Sequence, residues 1–165
     1  ILADQGDYKQ AHEVIAEAVR NKAAFEELYN VAGVIHTKTG DYEKAIECFR
    51  KSLEANPDSF DANMNLGNVY GMRMDYVPAQ GIFAKLEKIN PADKIVKYLL
   101  GCMAFFNNDF VLAESKFKDA ISLDPQFSQA YVQLARTHRK NGNNEEADKA
   151  FKKAVELEPK LGSTE

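Results

Sequence analysis

Prolines recur at a fixed interval along this chain, and each of them closes a block that resembles the block before it. Pro57, Pro91, Pro125 and Pro159 are spaced 34 residues apart. A fixed period of this length is the signature of a repeat architecture in which pairs of helices stack on one another. The period constrains the fold more than any single motif does, because every other residue can be aligned on it.

Further columns become visible when the blocks are aligned on these prolines. A small residue recurs at Gly33, Gly67, Gly101 and Ala135, and an alanine recurs at Ala11, Ala45, Ala79, Ala113 and Ala147. A bulky apolar residue lies four positions after each alanine, at Ile15, Phe49, Phe83, Phe117 and Phe151. We expect the small residues to let the two helices of a block approach closely. The aromatic column would fill the space between them, with about 1.5–3 kcal/mol gained per buried side chain.

Each block predicts two amphipathic helices joined by a tight turn. In the last block the helices are expected over residues 128–140 and 144–157. The turns carry residues that suit a left-handed backbone followed by a helix cap. They are Gly6-Asp7, Gly40-Asp41, Met74-Asp75, Asn108-Asp109 and Gly142-Asn143. Asp7 with Gln10, and Asn143 with Glu146, are expected to form capping boxes.

This set of columns resembles the tetratricopeptide repeat family. The resemblance predicts one all-α domain over residues 1–165, a right-handed superhelical solenoid of stacked antiparallel helix pairs. Its repeats would be a partial one at 1–25, complete ones at 26–59, 60–93, 94–127 and 128–161, and a tail at 162–165. The tryptophan usual in the first helix is replaced by Tyr29, Asn63, Lys97 and Tyr131. The usual later tyrosine is replaced by His36, Ala104 and His138, and is kept at Tyr70. Because Ile1 falls in the middle of an expected helix, we expect a fragment of a longer repeat protein.

Composition and motifs argue against several function classes. The formal net charge of −4 and the pI near 5.5 disfavour nucleic-acid binding, which normally needs a basic face. The longest apolar run, over 98–106, is far shorter than the ~20 residues of a membrane span. Cys48 and Cys102 lack metal-binding spacing, and no phosphate-binding loop or zinc motif is present. We therefore expect a protein that is not an enzyme and binds no cofactor or metal.

The resemblance implies that the first helices of the repeats line an inner, concave groove. In the third complete repeat the groove stripe is apolar from end to end, whereas such a stripe should be polar on an unpartnered helix. The expected partner contacts on this helix are Ile95, Tyr98, Leu99, Cys102, Phe105 and Phe106. Those expected on the helices before and after it are Met64, Asn65, Asn68, Met72, Arg136 and Arg139. A ligand with an apolar centre and an acidic end would complement this layout.

One well-known activity of the family is disfavoured here. Relatives that hold the acidic tails of heat-shock chaperones need Lys and Asn four apart, then Asn, then Lys and Arg four apart, on successive first helices. The corresponding residues are Asn30 and Val34, then Asn65, then Ile95 and Leu99. One repeat later they are Met64 and Asn68, then Leu99, then Gln129 and Gln133. The cations of the clamp are missing in both registers.

The sequence therefore predicts a non-catalytic protein-interaction scaffold that binds a peptide or helix of a partner protein in its groove. Substitution of Leu99 or Phe105 by Glu should abolish partner capture without loss of helix content. Three alternatives stay open. The apolar stripe could be covered by another part of the parent protein, it could drive self-assembly into dimers or filaments, or the chain could be the recruitment domain of a larger enzyme.

Overall fold

The computed structural model describes residues 25–162, and every described helix is short and separated from the next by a tight turn. The predictions that fall on residues 1–24 and 163–165 lie outside the described residues. Within the described range the all-α repeat fold is confirmed, with helices in antiparallel pairs. The helices are α1 Phe25–Lys38, α2 Tyr42–Ala55, α3 Phe60–Met72, α4 Tyr76–Ile89, α5 Lys94–Phe106, α6 Phe110–Leu123, α7 Ser128–Lys140 and α8 Asn144–Leu157, followed by a 3-10 helix Pro159–Gly162.

The turns inside each pair follow the expected chemistry. Gly40, Met74, Asn108 and Gly142 all have positive φ values, between 60° and 78°. The side chain of Asp41 accepts a hydrogen bond from the Lys44 backbone N–H, which caps α2. The capping box expected between Asn143 and Glu146 is wrong. Asn143 makes no side-chain cap bond, and Glu146 instead pairs with Lys149, 2.9 Å away on the same helix.

The second helix of each pair ends directly before the residue that precedes a proline. Asn56, Asp124 and Glu158 have extended backbones, with φ near −140°. Proline disfavours the helical conformation of its predecessor and has no N–H to donate, so the chain must leave the helix there. Pro78 lies in the first turn of α4, where a missing N–H costs nothing.

The chain forms two compact units, and each has a core of its own. Unit 1 ends at Asp75 and its described part holds α1 to α3, while unit 2 begins at Tyr76 and holds α4 to α8. In unit 1 the fully buried Phe49 ring of α2 lies against Gly33 of α1. A Cβ atom placed on Gly33 would be only 2.5 Å from that ring, so the expected steric role of the small column is confirmed here.

Unit 2 repeats this packing one pair at a time. The fully buried Phe117 ring of α6 would lie 2.7 Å from a Cβ on Gly101 of α5. Phe117 shares its core with Phe105 of α5 and with Leu134 and Ala135 of α7. This core fixes α5 and α7 side by side in unit 2, and their outer faces form the surface described next.

No helix among residues 25–162 is both long enough and apolar enough to cross a lipid bilayer.

Candidate protein-binding surface

An apolar stripe runs along α5, and its two ends are exposed. Ile95, Leu99, Cys102 and Phe106 recur every three or four residues and therefore share one face of the helix. Ile95 is 42% exposed and Phe106 is 47% exposed, while Leu99 between them is partly buried. The Phe106 ring stacks on Tyr76 of α4, with centroids 5.1 Å apart. We call these four residues the α5 stripe.

Phe105 does not belong to this surface, which corrects the expectation for that residue. It is only 8% exposed and packs in the core of unit 2 beside Phe117 and Leu134. Its ring makes edge contacts with Phe106 and with Phe110 of α6. A glutamate at Phe105 would bury a charge, so the substitution would unfold the unit and could not report on partner capture alone.

Tyr98 also faces its neighbours more than solvent. Its ring lies 5.9 Å from that of Phe117 and 5.1 Å from that of Phe127. Its hydroxyl interacts with the side chains of Cys102 and of Gln133 on α7. The Tyr98 hydroxyl and the thiol of Cys102, itself a member of the α5 stripe, therefore form a polar floor on the side of the stripe that faces α7.

Both groups of this floor are protonated at physiological pH, and burial moves their pKa values further above it. Desolvation, with a smaller contribution from the neighbouring Cys102, raises the pKa of Tyr98 to about 12. Desolvation likewise raises the pKa of the Cys102 thiol to about 11, against the lowering effects of Tyr98 and Arg136. A protonated thiol is a poor nucleophile and a poor metal ligand, so Cys102 acts here as a small packed side chain.

Arg136 lies above this floor and is exposed. Its guanidinium carbon is 5.4 Å from the centroid of the Phe105 ring. One of its nitrogens donates to the side-chain oxygen of Gln133 at 3.2 Å. Arg139, one turn further along α7, is directed instead towards α8, where it lies over Phe151 and pairs with Asp148 at 3.4 Å. The structure therefore separates two cations that the sequence placed together.

In unit 1 the corresponding surface is mixed, with Val31 of α1 46% exposed beside polar residues. The Asn65 side chain on α3 donates to the side-chain oxygen of Asn30 on α1, at 3.1 Å. Met64 and Asn68 are partly buried, whereas Met72 at the end of α3 is 56% exposed. Each bonded asparagine keeps a further amide donor or acceptor, so the pair could bind the backbone of an extended chain.

The sequence pattern does not predict Gln133 and Asn30 as contacts, although they share repeat columns with Leu99 and Tyr98. Gln133 orients Arg136, and Asn30 holds Asn65. The repeat pattern could have indicated both residues, because Gln133 lies one helical turn before Arg136 and Asn30 lies on the first helix of the repeat before that of Asn65.

Metal chemistry has no evident place on this surface. Among residues 25–162 no group of three or more His, Cys, Asp or Glu side chains is arranged to hold a metal ion. Both cysteines are free thiols, and burial raises the pKa of Cys48 as well.

Family models and a curated relative both match parts of this chain. Models of the tetratricopeptide repeat match residues 33–72 and 128–161. The photosystem I assembly protein Ycf3 of Synechococcus sp. (strain CC9605) is 34% identical over 70 residues, which is 41% of this chain. The match covers 40% of the length of that relative.

Solved structures with the same fold match nearly the whole chain. The structure of MamA AMB-1 is 28% identical, with a TM-score of 0.82, and the match covers 93% of this chain and 84% of that one. MamA from Desulfovibrio magneticus RS-1 is 22% identical, with a TM-score of 0.79 over 99% of this chain and 100% of that one. At 22% identity the second likeness is evidence for the fold alone.

Proposed function

The chain is a tetratricopeptide repeat protein, and we propose that it is a non-catalytic scaffold that binds a segment of a partner protein through the α5 stripe. The single observation that carries the proposal is the exposure of Ile95 and Phe106 at the two ends of an apolar helix face. Exposed contiguous apolar surface is a recurrent mark of protein-binding sites. The coarser role, a protein-interaction or assembly scaffold, agrees with the relatives, one of which is named as an assembly protein.

The contrast between α5 and the first helices that precede and follow it in the chain, α3 and α7, supports this choice of surface. The residues of α7 that occupy the columns of the α5 stripe are Gln129, Gln133, Arg136 and Lys140. Those of α3 are Asp61, Asn65, Asn68 and Met72. Seven of these eight residues are polar, as solvent exposure explains, whereas solvent exposure offers no reason for the apolar set on α5. We expect the partner to bury Ile95, Leu99 and Phe106, and to meet polar groups on α7.

Photo-crosslinking with matched positions would test the proposal. A photoreactive amino acid is placed at Ile95 or at Phe106 in the full chain, and crosslinked products from source-cell lysate are identified by mass spectrometry. The control position is Val111 on α6, which is apolar and even more exposed but lies outside the stripe. We expect the same partner at Ile95 and Phe106, and its loss when Ile95→Glu is combined with the probe at Phe106.

Ile95→Glu is a suitable disrupting variant because Ile95 lies in the first turn of α5, where a negative charge interacts favourably with the helix dipole. Helix content and thermal stability should therefore stay close to those of the wild type. Equal crosslinking at Ile95 and Val111, or capture that survives Ile95→Glu, would contradict binding through the stripe. Crosslinking to a second copy of this chain alone would replace the partner with self-association.

A further inference from the structure

We propose that Arg136 binds an Asp or Glu side chain of the partner segment, with Gln133 and the Phe105 ring as the groups that orient its guanidinium. This inference rests on the proposed function, because it concerns the same surface and names the chemistry that the partner must present there. It goes beyond that function in assigning one residue as the determinant of specificity.

The contacts of Arg136 leave its charge without compensation. The guanidinium is held by an aromatic ring and by a neutral amide. Within residues 25–162 no ion pair involves Arg136, whereas Arg139 on the same helix is paired with Asp148. The side chains below it, Tyr98 and Cys102, stay protonated and therefore carry no negative charge.

The same contacts fix the guanidinium in one orientation. A guanidinium has five N–H donors in a rigid planar fork, and one nitrogen is engaged with Gln133. The cation–π contact with Phe105, at 5.4 Å from the ring centroid, restricts the position of the group. Arginine forks match carboxylates with two parallel hydrogen bonds, and a pre-oriented fork loses less side-chain entropy on binding. The arrangement suits one carboxylate better than a diffuse acidic surface.

The position of Arg136 indicates a side-chain carboxylate, not a chain terminus. The exposed apolar residues of the α5 stripe lie near both ends of that helix, at Ile95 and Phe106. Arg136 lies over the Phe105 ring and acts electrostatically on Cys102 and Tyr98, so it lies between those two ends. A segment that covers both Ile95 and Phe106 extends past Arg136 in both directions, which places its terminus elsewhere.

Selection from random peptide libraries would test the inference whatever the identity of the partner. The full chain is used as bait against twelve-residue peptides that are displayed either with a fused C-terminus or with a free one. Bait variants are Arg136→Gln, Arg136→Glu, Ile95→Glu and the matched control Arg139→Gln, which removes the same charge from the same helix. Circular dichroism and thermal unfolding confirm that all baits remain folded.

We expect the wild type to enrich peptides in which Asp or Glu recurs at a fixed spacing from apolar residues, in both library formats. A charge-assisted hydrogen bond corresponds to roughly 10- to 100-fold in affinity, so Arg136→Gln should weaken an enriched peptide by that factor. Arg139→Gln should change it by less than about 3-fold, since that cation is already paired. With the Arg136→Glu bait, the enriched peptides should carry Lys or Arg at the position where Asp or Glu recurs with the wild type.

Two kinds of failure can be told apart. Enriched peptides that share apolar residues but no acidic residue would overturn the role of Arg136, as would an acidic preference that survives Arg136→Gln. Either result would leave the α5 stripe as the binding surface. Enrichment of acidic peptides only when their C-terminus is free would overturn the side-chain assignment. No enrichment above the Ile95→Glu bait would overturn both this inference and the proposed function.

Discussion

At the scale of single residues, Gly101 and Gly81 illustrate opposite uses of glycine within helices of the same unit. A Cβ on Gly101 would lie 2.7 Å from the buried Phe117 ring, whereas nothing lies within 4 Å of a Cβ on Gly81. We expect Gly101→Ala to lower the free energy of unfolding by about 1–3 kcal/mol through overpacking. Gly81→Ala should raise it by about 0.5–1 kcal/mol, because alanine is the better helix former. Urea unfolding of both variants measures the two effects.

Gly101→Ala combined with Phe117→Leu provides the control for this pair. A smaller side chain at Phe117 makes room for the added methyl group, so the double variant should lose less than the sum of the single losses. Equal destabilisation by both alanine substitutions would contradict the steric account of the small column.

His138 shows how a departure from the family pattern affects packing. It is 6% exposed, its Nδ1 atom is 3.7 Å from a Glu114 oxygen, and among the described residues that Nδ1 has no hydrogen-bond partner. Tyr70, which occupies the same column, accepts a hydrogen bond at 2.6 Å from Arg50, twenty residues earlier. Lys118 likewise lies twenty residues before His138, and both side chains line a cleft of about 450 Å³.

We therefore expect His138→Tyr to raise the free energy of unfolding by about 1 kcal/mol, since it removes an unpaired buried nitrogen and brings a hydroxyl within reach of Lys118. The reciprocal change Tyr70→His should lower the free energy of unfolding by about 1–2 kcal/mol by depriving Arg50 of its partner. Chemical unfolding of both variants at one pH, pH 8, measures the two effects. A loss of stability in His138→Tyr would show that the cleft cannot take the larger ring.

At the scale of helices, a partly buried ion network joins three elements of unit 2. Glu87 of α4 contacts Lys97 of α5 at 2.7 Å and Lys116 of α6 at 2.8 Å. Burial raises the pKa of Glu87, but the hydrogen bonds from Lys116 and Lys97 outweigh it and hold that pKa below its ordinary value of 4.5. Lys97 stands in the column where the family usually has tryptophan, so the ion network occupies the place of an aromatic contact.

The lowered pKa of Glu87 gives the network a defined pH dependence. Its contribution is complete well above pH 4.5 and is lost as the pH falls through the lowered folded-state pKa, because the unfolded chain then binds the proton more readily. We expect Glu87→Gln to cost about 1–3 kcal/mol at pH 7 and progressively less at lower pH. Urea unfolding from pH 7 to pH 3 would reveal this convergence. Glu145→Gln, at a fully exposed ion pair, is the control, and a parallel pH profile for Glu87→Gln and the wild type would contradict the assignment.

The same scale shows what the sequence could and could not predict. The bounds of α7 and α8 are confirmed, because Gly142 and the residue before Pro159 leave the chain no helical alternative at those points. The assignment of Phe105 to the groove is wrong, because helical periodicity orders residues around one helix but does not say how far the next helix covers them. Ala135 and Leu134 on α7 are near enough to enclose Phe105, which only the packed structure reveals.

At the scale of the whole molecule, the chain divides into two compact units, whereas the sequence analysis expects a single domain over 1–165. Each unit has its own glycine–phenylalanine contact, Gly33 with Phe49 and Gly101 with Phe117. In repeat proteins stability is close to a sum of local terms and nearest-neighbour interfaces, so damage in one unit can leave another protected. The separation predicts that the same substitution placed in either unit has a local effect.

Hydrogen exchange of the full chain, followed by mass spectrometry, would test that prediction with two matched variants. Gly33→Ala should speed amide exchange in α1 to α3, and Gly101→Ala should speed it in α5 to α7. A loss of ~2 kcal/mol corresponds to roughly 30-fold faster exchange wherever opening is local. If either variant speeds exchange equally across residues 25–162, the chain opens as one cooperative domain, as the expectation of a single domain over 1–165 implies. If each effect stays within its own unit, Ile95→Glu and the Arg136 variants probe a surface whose stability does not depend on unit 1.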